Sequence, residues 1–163
     1  METVRTSKTK GIWVYVLFCL LPLLGGGLSG LVSMEGMKEF SSLNQPPLSP
    51  PAALFPIAWT VLYILMGVGA AMVYLAPARG WKPPLFLFAV QLAINLLWSP
   101  LFFALKLRFA AFLWLLALLL MAGYMAWEFK KVRPAAGYLQ LPYLLWLLFA
   151  AYLNFGVWVL NRG

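Results

Sequence analysis

The chain has 163 residues, of which 64% are apolar and 17% aromatic, while only 10% are charged. Four acidic and twelve basic residues with no histidine cannot coat a water-soluble domain, whose charged fraction averages about a quarter. The balance excludes a soluble globular enzyme, and the formal charge of +8 needs no nucleic acid, since basic loops beside anionic headgroups account for it.

Spanning the hydrocarbon core takes roughly 20 apolar residues in a helix. Stretches of that kind lie at 11–33, 52–76, 85–105, 109–127 and 137–160, and none contains Asp, Glu, Lys, Arg or His. Every charge falls in a connection or a terminus, as the cost of burying charge in lipid demands. The pattern predicts an all-α integral membrane protein, a bundle of five transmembrane helices forming one domain over 1–163 with almost nothing outside the bilayer.

The first span follows Arg5, Lys8 and Lys10, a charge pattern that can mark a cleavable signal. The apolar run continues past Gly25-Gly26-Gly27 to Ser33, longer than a signal's apolar region, which favours a retained helix. Cys19 is the only cysteine, so no internal disulfide can form. Gly26 and Gly30 are spaced to let another helix approach closely. Residues 34–51, MEGMKEFSSLNQPPLSPP, end in two Pro-Pro pairs that stop a helix from starting early. They read as a semi-rigid lid over one mouth of the bundle, or as a plain connector.

In the second span Trp59, Tyr63 and Met66 share a helical face, and Gly67 and Ala71 repeat the small-residue spacing. In the third, Gln91, Asn95, Trp98, Ser99 and Phe102 share one face, at the spacing of a helical stripe. Ala89 and Ala93 on that span suit packing within the chain or pairing with a second copy. Trp114 lies deep in the fourth span, and Tyr143, Trp146, Ala150 and Asn154 line a face of the fifth. Prolines 22, 56, 100 and 142 fall inside spans, where each is expected to kink its helix and leave room beside it.

Five spans put the termini on opposite sides. Arg5, Lys8, Lys10, Arg79, Lys82, Lys130, Lys131 and Arg133 fall on the amino-terminal side, and Lys38, Lys106, Arg108 and Arg162 on the other. The positive-inside rule then places the amino terminus in the cytoplasm.

Ion-coupled carriers keep an ionisable residue at membrane depth, and these spans have none. Nor does the chain offer a metal-ligand set or a nucleophile with a matched base. It is therefore expected to use no metal and no catalytic residue. Trp13, Trp81, Trp127 and Trp158 sit near span ends, where aromatic belts belong. Trp59, Trp98, Trp114 and Trp146 lie deeper, towards the 34–51 side, and an indole N–H there wants a partner. Aromatic stripes with a few amides suit a flat, largely apolar ligand, or equally a core in which rings and amides hold helices together.

The segments PPLSPPAALFPIAWTVLYILMG at 46–67, QLAINLLWSPLFF at 91–103 and LPYLLWLLFAAYLNFGVW at 141–158 resemble the TspO/MBR family of tryptophan-rich sensory proteins and mitochondrial translocator proteins. The resemblance implies a five-helix bundle, often a homodimer, with a pocket under the first long loop. It implies binding of porphyrins such as protoporphyrin and haem as ligands, with no cofactor required. The pocket would be lined by Trp59, Tyr63, Asn95, Trp98, Trp146 and Ala150, with Phe40 from the loop, and the dimer motif would be Ala89 and Ala93. In this picture Trp59 and Trp146 stack on the ring, Asn95 makes one hydrogen bond, and the 34–51 segment closes the mouth.

The sequence departs from the family at Leu48, where the loop usually carries tryptophan, and at Glu39-Phe40, where one ring of an aromatic pair is missing. Phe155 and Val159 stand where sterol-linked tyrosine and arginine would be, which weakens the expectation of a sterol partner. The leading expectation is a receptor or translocator in a bacterial cell membrane. The alternatives are light- or oxygen-dependent porphyrin breakdown, carried by indole radicals without an acid-base pair, and a stress-signalling scaffold whose output is another protein.

Overall fold

The computed structural model describes residues 2–40, 42–76 and 82–162, with side chains from residue 11 onward. Arg79 and Trp81, and the side chains of Arg5, Lys8 and Lys10, lie outside the described residues. Helices α1 (Glu2–Phe40), α2 (Leu54–Tyr74), α3 (Lys82–Ser99), α4 (Arg108–Val132), α5 (Pro134–Tyr138) and α6 (Leu141–Leu160) follow in chain order, with a π-helical turn over Pro100–Ala104 after α3. Among the described residues, five segments are long and apolar enough to cross a membrane: Gly11–Phe40, Leu54–Tyr74, Lys82–Ala104, Arg108–Val132 and Pro134–Leu160.

The bundle is apolar on both sides of its wall. Met66, Leu115, Leu118, Phe129, Tyr143 and Leu147 are fully buried, while Leu17, Leu28, Leu31, Phe86, Leu120 and Leu145 are exposed, as lipid-facing side chains are. Helix α1 lies at the edge: 6% of its most apolar stretch is buried, against 33–39% in the other four segments. Trp127 at the end of α4 has the ammonium groups of Lys130 and Lys131 over its ring, and Trp158 has the Arg162 guanidinium 4.7 Å from its centroid. These are the amphipathic ends expected at an interface.

Glycine sets the closest approach between α1 and α2. A Cβ on Gly67 would collide with the backbone of Phe18 and Cys19, and one on Gly26 would collide with the Tyr63 ring. A Cβ on Gly30 would meet nothing, so the second member of that small-residue pair leaves space instead of filling it. Farther along, Gly36 packs against the Phe103 carbonyl. Residues 34–40 are helical there. The first seven residues of the expected lid are therefore the last two turns of α1, because the prolines that stop a helix start only at Pro46.

The prolines behave in two ways. Pro56 is the third residue of α2 and Pro142 the second of α6, where the missing N–H would have had no partner, so neither is placed to kink its helix. Pro100 does perturb one. It removes the donor that would have met the Leu96 carbonyl, and Leu105 N–H closes the wider turn on the Pro100 carbonyl at 2.9 Å. The Ser29 hydroxyl of α1 donates to the Leu96 carbonyl. Ser99 then donates to the Ser33 hydroxyl at 2.8 Å, and Ser33 to the Ser29 carbonyl at 2.8 Å. The kink and a serine ladder together tie α1 to α3. Ala89 and Ala93 lie on the outer, exposed face of α3 with Phe86 and Leu97.

Candidate functional site

A buried polar chain braces α2, α3 and α6. The Tyr63 hydroxyl donates to the Asn95 side-chain oxygen at 3.0 Å, and the Asn95 amide donates to the Tyr143 hydroxyl at 3.1 Å. The Tyr143 hydroxyl in turn donates to Gln91 Oε1 at 2.9 Å, and the Gln91 amide points at Met66 Sδ, 3.5 Å away. Each polar group is buried and each has a partner, so the network fixes helix register instead of adding cost. Asn95 reaches the space beside it with its oxygen and amide already engaged.

That space is a cavity of about 540 Å³ bounded by α1, α2 and α3. Its rings are Phe40, Phe55, Trp59, Tyr63, Trp98 and Phe103, and its gaps are opened by Gly26, Gly27 and Gly30 of α1. Its polar side chains turn to neighbours: Ser29 to Leu96, Ser99 to Ser33, and Thr60 to the Pro56 carbonyl at 2.8 Å. Trp98 stacks on Phe102 with centroids 5.4 Å apart at 19°. Phe40 meets Phe102 and Phe103 edge-on at 5.7 and 5.4 Å, so the end of α1 forms the upper wall. The Trp98 N–H is buried without an acceptor among the described residues, as is that of Trp146.

Of the residues expected at the site, Phe40, Trp59, Tyr63, Asn95 and Trp98 line this cavity, and Trp146 and Ala150 do not. The space opens towards α1, whereas the stripes had suggested α2, α3 and α6. Trp146 stands behind the wall, edge-on to Trp59 at 6.5 Å and 83° and to Phe55 at 6.1 Å and 73°. Ala150 is buried in the core beyond it. Trp114 serves packing, its N–H donating to the Ile94 carbonyl at 2.8 Å. Sequence reasoning missed Gly27, Ser29, Gly30, Leu31, Phe55 and Thr60. The run GGGLSG at 25–30 was the available signal, since three adjacent glycines weaken a helix unless the bare backbone has a use.

The loop above is pinned. Asn161 grips the Asn44 backbone from both sides, accepting from its N–H at 3.0 Å and donating to its carbonyl at 2.9 Å. The Tyr152 hydroxyl donates to the Pro47 carbonyl at 2.8 Å, and Pro46 packs on Gly156. Gln45 donates to the Phe40 carbonyl at 3.0 Å. Leu48 sits at φ 68° in a turn closed by Ser49 N–H to the Pro46 carbonyl at 3.3 Å, the left-handed third position of a type II turn with Pro47 before it. A Lys106–Glu39 ion pair of 2.7 Å joins the end of α1 to the connection before α4.

The sequence matches the TspO/MBR family over residues 18–159. It is 39% identical to a translocator protein of Ovis aries over 150 residues, covering 90% of this chain and 89% of that one. Protein CrtK of Rhodobacter capsulatus is 39% identical over 140 residues, 84% of this chain and 86% of its own. A tryptophan-rich sensory protein of Cereibacter sphaeroides is 38% identical over 122 residues, 75% of this chain and 76% of its own.

Proposed function

Because the chain belongs to the TspO/MBR family, and is an integral membrane protein, we propose that it is a translocator-like receptor whose cavity takes porphyrins and similar flat, largely apolar molecules. The observation that carries the reading is the ring-walled cavity of about 540 Å³ between α1, α2 and α3. Its volume falls within the roughly 300–1,000 Å³ of small-molecule sites. Its wall hydroxyls and the Asn95 amide are engaged within the protein, so affinity comes from burial and from stacking on Trp59 and Trp98. The unpaired Trp98 N–H favours a ligand that carries an acceptor. No ionised side chain lines the cavity, so a porphyrin's carboxylates stay at the rim, where Lys38 follows the lining residue Met37. The names of the relatives, translocator and tryptophan-rich sensory proteins, support the translocator-like part of this reading. The exposed Ala89–Ala93 face of α3 supports pairing with a second copy.

The test is a titration of the purified protein in nanodiscs with protoporphyrin, followed by tryptophan fluorescence. Saturable quenching that weakens in Trp59→Ala is the expected result. Linear quenching that is indifferent to the substitution means partitioning into lipid, and ends the reading.

A further inference from the structure

The cavity is exposed along one side. Its exposed lining residues are Gly27, Leu31, Met37, Ala52, Pro56 and Thr60, and all belong to α1, to α2 or to the residues just before α2. Those from α3 are buried or half-buried. The two helices run antiparallel, so Met37 lies level with Ala52 at the loop end, Leu31 with Pro56 below, and Gly27 with Thr60 deeper. The exposed seam thus follows α1 for about 15 Å into the bilayer. Below it the helices zip together, with Gly26 on Tyr63 and Gly67 on the Phe18–Cys19 backbone.

No seam residue is charged, and the Thr60 hydroxyl is bound to its own helix. The seam therefore presents an apolar edge to acyl chains. Above, the loop is held to α6 by Asn161, Tyr152 and Gly156. Helix α1 is the least buried of the spanning segments.

We infer that the cavity exchanges its ligand sideways with the loop-side leaflet, through the seam between α1 and α2, with Leu31 and Thr60 as its two posts, and not through the loop. This rests on the ligand-binding reading above. It makes the ligand class membrane-dissolved amphiphiles with an apolar body.

The experiment is stopped-flow quenching by protoporphyrin preloaded in phosphatidylcholine nanodiscs. All variants are made in a Cys19→Ser background. An Asn44→Cys/Asn161→Cys disulfide locks the loop and should leave the association rate within about twofold. Leu31→Trp and Thr60→Trp narrow the seam from opposite sides and should slow association and dissociation together by about tenfold. Leu31→Ala should speed both. A locked loop that slows association tenfold, with seam variants at the parental rate, overturns the lateral route while leaving binding intact. Absence of saturable quenching in the parent protein overturns the ligand reading itself, and the portal with it.

Discussion

Trp146 meets Trp59 edge-on, ring centroids 6.5 Å apart and planes at 83°, and of the two only Trp59 lines the cavity. The Trp59 ring is further steadied by Tyr63 at 5.4 Å and Tyr143 at 6.4 Å. One tryptophan is therefore a surface for ligand, and the other holds that surface in place.

This arrangement separates the two residues in a binding assay. Trp59→Ala removes the stacking face, and protoporphyrin affinity in nanodiscs should fall about tenfold, equivalent to about 1.4 kcal/mol. Trp146→Phe keeps an aromatic edge behind Trp59 and should cost no more than about threefold. Equal losses would place Trp146 in contact with the ligand.

Stability should divide two glycines one turn apart. Gly26→Ala forces a methyl into the Tyr63 ring, and that ring is anchored to Asn95, so α1 must shift at a cost of about 1–3 kcal/mol. Gly30→Ala meets nothing and should be neutral or stabilising by up to about 1 kcal/mol, through helix propensity. Thermal unfolding in detergent, read by circular dichroism, compares them.

The Ser29 hydroxyl answers a need that Pro100 creates. Ser29→Ala leaves the Leu96 carbonyl without its donor, for a loss of about 1–2 kcal/mol. In Pro100→Ala the helix regains its own N–H, and the same serine substitution should cost clearly less. A double-mutant cycle measures the coupling, and additive effects would refute it.

Leu48 is 81% exposed and held at φ 68°, a conformation that costs a branched side chain about 1 kcal/mol. Leu48→Gly loses almost no packing and should raise the apparent Tm by about 2–4 °C. An unchanged or lower Tm would mean that the leucine makes a membrane contact worth more than the strain.

How much of this was legible beforehand follows from the range of each interaction. Five spans could be read from composition because lipid tolerates no charge along about 20 residues of helix, and that constraint is local. The stripes of α2 and α3 grouped Trp59 with Tyr63 and Asn95 with Trp98, which line the cavity, for the same reason, since helical spacing depends only on the residues themselves. Which stripe faces a void and which faces a neighbour depends on how helices lean, and that is set by contacts between distant residues. Gly67 draws α1 onto α2 at one level, while the Ser29–Leu96 bond draws it to α3 at another. The space left between them lies at the glycines of α1, so Trp146 and Ala150 end behind the wall. The loop shows the same division: its prolines announced where a helix could not begin, but only Asn161 and Tyr152, more than a hundred residues away in sequence, decided where it would be held.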